Sequence, residues 1–267
     1  MLKQIYNNNL RISYKDEGIG SVIVLIHGFL ESHEIWHKFD IELAKRYRVL
    51  SIDLPGHGLS DLHEEPFTMC KYAESVKTVL DHEKINKAFM IGHSMGGYVT
   101  LAFSEKYPKY LSGLCLFHSA PFSDSNEKLT ARNITIESVR KGQFKSICKS
   151  HVRSVYNEEN ILEFNREIEF AENIALGMKE ENAIASIITM RDRNDRSDIL
   201  KNLHIPFLYI QGTKDKYIPM EILHKIEMPK KTKIVILEKS GHMGMIEEKE
   251  KSLKEINDFY RKYILNG

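Results

Sequence analysis

A single serine lies between glycines at the point where an apolar run meets a helical pattern. The stretch is Ile91-Gly92-His93-Ser94-Met95-Gly96-Gly97, which contains the pattern G-x-S-x-G centred on Ser94. On a tight strand-to-helix turn, glycines provide clearance and the serine hydroxyl projects above the sheet, where it can act as a nucleophile. The same pattern also occurs as an ordinary Gly-Ser turn. The choice between these interpretations depends on which groups other segments bring to Ser94.

A serine hydroxyl needs a base to take its proton, and position along the chain favours His242 among the twelve histidines. His242 follows the apolar run IVILE, so it lies on a loop after a strand, at the same sheet edge as Ser94. His27 and His118 also follow apolar runs, and we interpret them as neutral histidines that are hydrogen-bonded in the wall of a pocket. His93 adjoins the serine, and its side chain is expected to point away from Ser94.

The base in turn needs an acid that orients it and stabilises its protonated form. Asp215 follows the apolar run FLYIQG, and Asp124 follows the run before that one. We predict that Asp215 is the acid and that Asp124 is its competitor. Either residue can instead be a solvated loop carboxylate. The predicted order along the chain is then Ser94, Asp215 and His242.

Attack on a carbonyl creates an oxyanion, which needs two preorganised hydrogen-bond donors. One predicted donor is the backbone N–H of Met95, the residue after the nucleophile. The other is the backbone N–H of Phe29, on the loop after the first buried run, where Gly28 lets the chain turn. Gly28 can also be a strand-ending turn and nothing more.

These loops predict a mostly apolar pocket for a small acyl substrate with an uncharged body. The same aliphatic and methionine side chains are equally typical of an ordinary core. Trp36, the single tryptophan, is expected to anchor the first helix. The residues expected to line the pocket are Gly28, Phe29, Leu30, Met95, Phe122, Met190, Ile218 and Met243.

A second glycine-containing loop runs from Asp53 to Asp61, with the sequence DLPGHGLSD. Phosphate loops use backbone N–H groups and a Lys before Ser or Thr, whereas Pro55 has no N–H and that lysine is missing. We interpret the loop as structural. No group of His, Cys, Asp and Glu has metal-ligand spacing either. We therefore expect neither a metal nor a cofactor.

Composition limits the class of partner and the compartment. The chain has 267 residues, of which 42% are hydrophobic and 28% charged, and its formal net charge is +1. This balance gives no indication of a nucleic acid or a membrane as partner, and we expect a monomer or a homodimer. The N-terminal residues lack the apolar core of a signal peptide. Cys70, Cys115 and Cys148 are sparse and widely spaced, which favours a reducing compartment and predicts a cytoplasmic protein.

Short apolar runs alternate with amphipathic stretches along most of the chain. The runs LKQIYNN and LRISYKD flank Asn7-Asn8-Asn9 and predict an antiparallel hairpin. Six later runs are continuously apolar, as strands buried on both faces are: SVIVLIHG, RVLSIDL, AFMIGHS, LSGLCLFHS, IPFLYIQG and KIVILEKSG. Helical patterns occupy 35–47, 69–84, 97–107 and 247–265. The alternation predicts a mostly parallel sheet with helices on both faces.

The alternation stops between about residues 121 and 202. This segment contains no convincing strand and shows helical patterns at 127–142, 144–156, 159–177 and 182–192. We predict a helical cap over 121–202, inserted into a core made of 1–120 and 203–267. An insertion at the carboxyl end of a strand covers the region where open α/β sheets bind ligands, so the cap is a candidate lid.

Taken together, these residues resemble the α/β-hydrolase fold family. The resemblance spans the whole chain and is carried by His27-Gly28-Phe29, the loop from Asp53 to Asp61, the turn at Ser94, the cap after the sixth strand, Asp215 after the seventh and His242 after the eighth. It implies an eight-stranded, mostly parallel sheet flanked by helices, and a serine hydrolase that cleaves small carboxylic esters through an acyl-enzyme. Members that carry aspartate at the nucleophile position, the haloalkane dehalogenases and epoxide hydrolases, are disfavoured.

Other activities of the family remain open at this point. A lactonase or a C–C bond hydrolase of meta-cleavage products would use the same serine and histidine, and the latter needs a cation for the substrate carboxylate. Arg132, Arg140 and Arg191 are candidates for that cation. An acyltransferase would use an acceptor in place of water. A non-catalytic ligand-binding member would fail to react with a fluorophosphonate probe.

Overall fold

The strands form one sheet. The computed structural model describes residues 1–7, 10–62 and 67–265. Within these residues the strands are β1 (Leu2–Asn7), β2 (Leu10–Glu17), β3 (Val22–Ile26), β4 (Arg48–Ile52), β5 (Ala88–His93), β6 (Leu111–Phe117), β7 (Phe207–Gly212) and β8 (Thr232–Leu237). Their order across the sheet is β1-β2-β4-β3-β5-β6-β7-β8. The first two strands pair antiparallel, as predicted, and Asn8 and Asn9 of the predicted turn lie outside the described residues.

Helices cover both faces of the sheet. In the described part of the chain they are α1 (Phe39–Ala44), α2 (Met69–His82), α3 (Met95–Lys106), α4 (Asn126–Ser138), α5 (Phe144–Ser154), α6 (Asn165–Leu176), α7 (Glu180–Arg191), α8 (Ser197–Lys201), α9 (Gly244–Glu247) and α10 (Lys249–Phe259). One apolar layer packs beneath α2 and α3, and the other beneath α1 and α10. The predicted fold class, an eight-stranded and mostly parallel sheet flanked by helices, is confirmed. Among these helices, none has the length and apolar character needed to cross a bilayer.

The central strands are parallel and fully buried, which explains their continuously apolar sequences. All six residues of β5 are buried. Strands β3 to β8 pair in parallel, and their carboxyl ends are in register through the pairs Ile26–Gly92, His93–Phe117, Phe117–Ile210 and Gly212–Leu237. The loops that follow β3, β5, β6, β7 and β8 therefore meet at one edge of the sheet.

The helix expected over 35–47 is interrupted in the structure. A 3-10 helix spans His33–Trp36, and α1 begins only at Phe39. Between them Lys38 adopts a left-handed conformation with φ +66°. The rings of Trp36 and Phe39 lie 5.8 Å apart and both are buried. The break lets both aromatic side chains enter the same core, a tertiary preference that outweighs the helical pattern of the sequence.

The segment between β6 and β7 carries α4 to α8. The first two helical patterns of this segment are separated at Gly142, which has φ +77° and lies within a short π-helical turn, Val139–Gln143. The helix expected over 159–177 begins later, at Asn165, because Glu158–Asn160 forms a separate 3-10 turn capped by Asn157.

Candidate active site

Ser94 connects β5 to α3 in a strained backbone conformation. Its φ is +50° and its ψ is −114°, which a residue with a side chain rarely adopts. The turn is closed by glycines: a Cβ on Gly92 would lie 2.4 Å from the carbonyl oxygen of Gly96, and a Cβ on Gly96 would lie 2.3 Å from that of Ile26. The G-x-S-x-G pattern is therefore explained by close approach of backbone to backbone.

Gly97 provides clearance for a side chain from the neighbouring loop. A Cβ at this position would lie 2.2 Å from Oγ of Ser119. That hydroxyl donates to the backbone carbonyl of Ser94 at 2.8 Å. Gly97 thus allows Ser119, two residues beyond β6, to hold the strained turn.

Asp215 and His242 form a short hydrogen bond at the sheet edge that carries Ser94. Nδ1 of His242 lies 2.7 Å from Oδ2 of Asp215. Oδ1 of the same carboxylate accepts the backbone N–H groups of Tyr217 and Ile218 at 2.8 and 2.9 Å. Burial alone would raise the pKa of Asp215, but the charge of His242 and the hydrogen bonds from His118 and His242 hold it well below its usual range. Asp215 is therefore a buried, ionised acceptor that orients His242.

A second histidine bonds to the same carboxylate oxygen. Nδ1 of His118 lies 3.0 Å from Oδ2 of Asp215. Its Nε2 accepts the backbone N–H of Gly244 at 3.2 Å, and its Nδ1 donates to the carboxylate of Asp215, a contact shorter than the 3.4 Å between Nδ1 and the backbone nitrogen of Gly212. Burial lowers the pKa of His118 to about 4, in spite of the nearby carboxylate. The expectation of a neutral, hydrogen-bonded histidine agrees with this geometry, although His118 lies behind the acid and not on the cavity wall.

His118, Asp215 and His242 also satisfy a simple distance test for a metal site. Their ligand atoms lie within 4.8 Å of one another. Sequence spacing could not indicate this group, because its members follow three different strands. The hydrogen bonds account for the clustering, since both Nδ1 atoms lie within 3.0 Å of Oδ2 of Asp215.

His93, next to Ser94, is held by acceptors on both ring nitrogens. Nε2 donates to the backbone carbonyl of His242 at 2.9 Å. Nδ1 lies 3.1 Å from Oε2 of Glu31, which also accepts the backbone N–H of Gly28 at 2.6 Å. A ring that donates at both nitrogens is an imidazolium. As expected, the side chain of His93 points away from Ser94, because its ring nitrogens bond to Glu31 and to the backbone of His242.

The pKa shifts agree with an ionised Glu31–His93 pair. Burial would lower the pKa of His93, but the charge and hydrogen bond of Glu31 raise it above its ordinary value. Burial would likewise raise the pKa of Glu31, and the charge of His93 lowers it. Glu31 is not among the residues predicted from sequence. The sequence feature that could have indicated Glu31 is its position on the loop after β3, three residues beyond Gly28.

A cavity of about 580 Å³ opens at this edge of the sheet. Ser94 and His242 both line it. The predicted wall residues that also line it are Phe29, Leu30, Met190, Ile218 and Met243. Gly28, Met95 and Phe122 lie outside the wall: Gly28 faces Glu31 and His93, and the other two side chains pack in or against the apolar layer beneath α3.

Two backbone N–H groups near Ser94 are available for a ligand. Among the described residues, neither the N–H of Phe29 nor that of Met95 donates to a protein acceptor. Met95 is the first residue of α3, where an N–H has no partner within its helix. The N–H of Gly28, in contrast, is used by Glu31.

Asp124, the competing acid, is engaged by two arginines. Its Oδ2 lies 2.5 Å from Nε of Arg132, and its Oδ1 lies 2.8 Å from Nη1 of Arg193. The second contact lacks hydrogen-bond geometry, so we treat it as a charge contact. Of the other predicted cations, Arg140 pairs with Glu137 and Arg191 with Asp192, and neither lines the cavity.

The loop that carries His242 is fixed to the segment after α5. The N–H of His242 donates to the carbonyl of Val155 at 2.7 Å. Asn157 donates from its backbone to Glu247 at 2.9 Å and from its side chain to the carbonyl of Lys239 at 3.0 Å. Hydrogen bonds therefore tie the α4–α8 segment to this loop on the His242 side of the cavity.

The chain is similar to known proteins over most of its length. A family model described as "alpha/beta hydrolase fold" matches residues 21–249. The dihydrolipoyllysine-residue acetyltransferase component of an acetoin cleaving system from Pseudomonas putida is 28% identical over 244 residues. The match covers 91% of this chain but 64% of that protein, so this chain spans less than two thirds of its length.

Two further similar proteins are esterases by name. A pimeloyl-[acyl-carrier protein] methyl ester esterase from Wigglesworthia glossinidia brevipalpis is 26% identical, over 92% of this chain and 96% of its own. The solved, malate-bound structure of a thermophilic esterase from Thermogutta terrifontis is 27% identical, covers 98% of both chains and superposes with a TM-score of 0.91. The chain belongs to the alpha/beta hydrolase family.

Proposed function

We propose that the chain is a serine hydrolase that cleaves small carboxylic esters through an acyl-enzyme. Ser94 attacks the acyl carbonyl while His242 accepts its proton, and Asp215 orients His242 and stabilises its protonated form. His242 then protonates the leaving alcohol and later activates water for deacylation. The observation that carries the proposal is the 2.7 Å Asp215–His242 hydrogen bond beside a cavity that Ser94 also lines.

The proposed oxyanion hole consists of the backbone N–H groups of Phe29 and Met95. Both are without an acceptor among the described residues, and they come from the two loops that adjoin Ser94. Two preorganised donors of this kind stabilise the charge that develops on the carbonyl oxygen. The Glu31–His93 pair supports this role, because it fixes the loop of Phe29 through Gly28.

We further propose that 121–202 acts as a cap that selects the substrate. Wall residues from this segment include Arg132 on α4, Val152 on α5, Ala171 on α6 and Met190 on α7. The bonds from His242 to Val155 and from Asn157 to Lys239 favour a cap that stays closed on that side. A lid that opens fully would have to break them.

The ester as scissile bond is supported by the names of two of the similar proteins, a methyl ester esterase and a thermophilic esterase. A small-molecule substrate fits a cavity of about 580 Å³.

Cys70, Cys115 and Cys148 are free thiols. A cytoplasmic location stays a prediction that rests on the sparse cysteines.

The test is hydrolysis of short p-nitrophenyl esters by the wild type and by Ser94→Ala. Loss of the nucleophile should lower kcat by about 10⁴- to 10⁶-fold, with an unchanged circular dichroism spectrum and melting temperature. Ser123→Ala serves as a matched control, because this exposed serine follows the same strand edge and does not line the cavity. Turnover by Ser94→Ala at the wild-type rate would rule out the proposed nucleophile.

A fluorophosphonate probe separates a hydrolase from a ligand-binding protein. Covalent labelling should occur in the wild type and be absent in Ser94→Ala. Added alcohol or thiol acceptors, with analysis of the products, distinguish hydrolysis from acyl transfer. A wild-type protein that neither labels nor hydrolyses any ester would contradict the proposal.

A further inference from the structure

The cavity wall carries an excess of positive charge on the side of α4. Lys128 and Arg132 lie one helical turn apart on α4 and both line the cavity. Lys128 donates to the carbonyl of Tyr217 at 3.3 Å and has no carboxylate partner among the described residues. The third wall cation, Lys216, pairs with Glu158. Lys128 is thus a wall cation without a carboxylate partner in the described part of the chain, and Arg132 shares the carboxylate of Asp124 with Arg193.

Negative charge on the wall is already compensated. Glu31 is the wall residue with a carboxylate, and it is occupied by His93 and by the N–H of Gly28. His151, also on the wall, adds no charge near neutral pH, because burial lowers its pKa to about 4. Among the described residues, the wall therefore offers no free anion of its own to Lys128 and Arg132.

The single carboxylate of Asp124 contacts two arginines, Arg132 and Arg193. Arg193 is buried and contacts Asp124. It donates to the carbonyls of Met190 and Phe122 at 2.6 and 2.8 Å. Its guanidinium lies over the ring of Tyr98, 3.9 Å from the centroid. Arg132 contacts the other oxygen of Asp124 through Nε. Arg132 and Arg193 thus share the carboxylate of Asp124, and Arg193 also interacts electrostatically with Asp195.

Arg132 uses one of its three guanidinium nitrogens for a protein partner in the described part of the chain. Within the described part of the chain Arg132 donates to Asp124 through Nε, and no protein acceptor engages Nη1 or Nη2. About a fifth of the side chain, 22%, is exposed. A guanidinium with both terminal nitrogens free presents the fork that binds a carboxylate in a bidentate manner.

We propose that Arg132, assisted by Lys128, binds a carboxylate carried by the substrate at a distance from the scissile ester. This inference rests on the proposed function and names its substrate class: half-esters of short dicarboxylic acids, or esters of hydroxy acids with a free carboxylate. The rest of the wall is mostly apolar, with Ile35, Val152 and Ile187 among its residues, and accommodates the chain between the two groups. The carboxylate selects substrates and takes no part in bond breaking.

The experiment compares charged and neutral esters of equal length. One arm uses monomethyl esters of dicarboxylic acids against methyl esters of the matching monocarboxylic acids, and the other uses acetate esters of hydroxy acids against alkyl acetates. In at least one arm the wild type should prefer the charged ester in kcat/KM by about 10- to 100-fold, the range expected for a charge-assisted hydrogen bond. A ratio near one or below one in both arms overturns the inference.

The variant Arg132→Gln should bring this ratio close to one. Arg140→Gln is the matched control, because Arg140 pairs with Glu137 outside the cavity, and it should keep the wild-type ratio. Should Arg132→Gln fail to fold, Lys128→Gln and an increase of ionic strength should each reduce the ratio. A ratio that none of these changes alters overturns the inference.

Binding separates this inference from the proposed function. Free short dicarboxylates should raise the melting temperature of the wild type and not that of Arg132→Gln. Such binding without hydrolysis of any ester would overturn the proposed function and retain the carboxylate site. Hydrolysis of esters without a preference for the charged ester would support the proposed function and overturn the carboxylate site.

Discussion

His93 donates through Nε2 to the backbone carbonyl of His242 at a distance of 2.9 Å. The residue before the proposed nucleophile thus holds the backbone of the proposed base. Glu31 holds the other side of the imidazolium and, through Gly28, the loop that carries Phe29. One buried ion pair therefore connects the three loops whose relative positions the proposed mechanism depends on. A pair in this position should influence turnover as well as stability.

Glu31→Gln tests that connection. The amide oxygen can still accept hydrogen bonds but cannot balance the charge of His93, so the ring should become neutral and lose one of its two donors. Breaking a buried ion pair costs about 3 to 5 kcal/mol of unfolding free energy, and misplacement of the loops should lower kcat about tenfold or more. Urea denaturation and p-nitrophenyl ester kinetics measure the two effects. The control is Glu34→Gln, three residues away and exposed, which should match the wild type in both.

The same pair predicts how stability depends on pH. The pKa of Glu31 lies below its ordinary value of 4.5, so its contribution is present above that value and is lost as the pH falls through the folded-state pKa. The pKa of His93 lies above 6.5, so its contribution is complete below 6.5 and is lost as the pH rises through the folded-state pKa. The stability difference between wild type and Glu31→Gln should be larger near pH 5.5 than near pH 9. A difference independent of pH would mean that the pair is not ionised.

His118 should act on catalysis through Asp215. In His118→Ala the carboxylate loses one of its donors, and the loss of a hydrogen bond to a charged group, about 1.5 to 3 kcal/mol, predicts a fall in kcat/KM of about 10- to 100-fold. Asp215 then attracts a proton on His242 more strongly, so the acid limb of the kcat/KM profile should move to higher pH. His118→Asn can still donate to Asp215 and should recover part of the activity. An unchanged acid limb in the alanine variant would limit His118 to packing.

The sequence predicts those parts of the fold that depend on local patterns within short segments. The runs that became β3 to β7 are continuously apolar because these strands are almost fully buried on both faces, whereas β8 lies at the edge of the sheet and leaves Ile234 exposed. Ser94, Asp215 and His242 could be selected because each follows such a run, and parallel strands bring their carboxyl ends to one edge. The break at Lys38 was not predictable from the helical pattern, because it depends on the packing of two aromatic rings.

The contacts that support the candidate site are tertiary and leave little trace in sequence. Glu31 bonds to His93 across 62 positions, and His93 bonds to His242 across 149. The proximity of His118 to Asp215 follows from the neighbouring positions of β6 and β7, but whether the ring donates to the acid depends on the N–H of Gly244. The cavity wall contributed by the proposed cap, 121–202, was least predictable, because helix packing and not the position of strand ends decides which of its residues face the cavity.

Gly97→Ala should disturb the turn at Ser94 from the far side. The new methyl group would lie 2.2 Å from Oγ of Ser119, so that hydroxyl must move and release the carbonyl of Ser94. Overpacking of this kind costs about 1 to 3 kcal/mol, and loss of support for the strained φ should lower kcat/KM for p-nitrophenyl esters. The double variant Gly97→Ala with Ser119→Gly removes the clash and should recover stability, whereas activity should recover less because the hydrogen bond to Ser94 is still missing. Gly177→Ala, whose methyl group would meet nothing closer than 3.4 Å, is the control and should melt at or above the wild-type temperature. If Gly97→Ala is as stable and active as the wild type, Ser119 has an alternative position and the contact does not hold the turn.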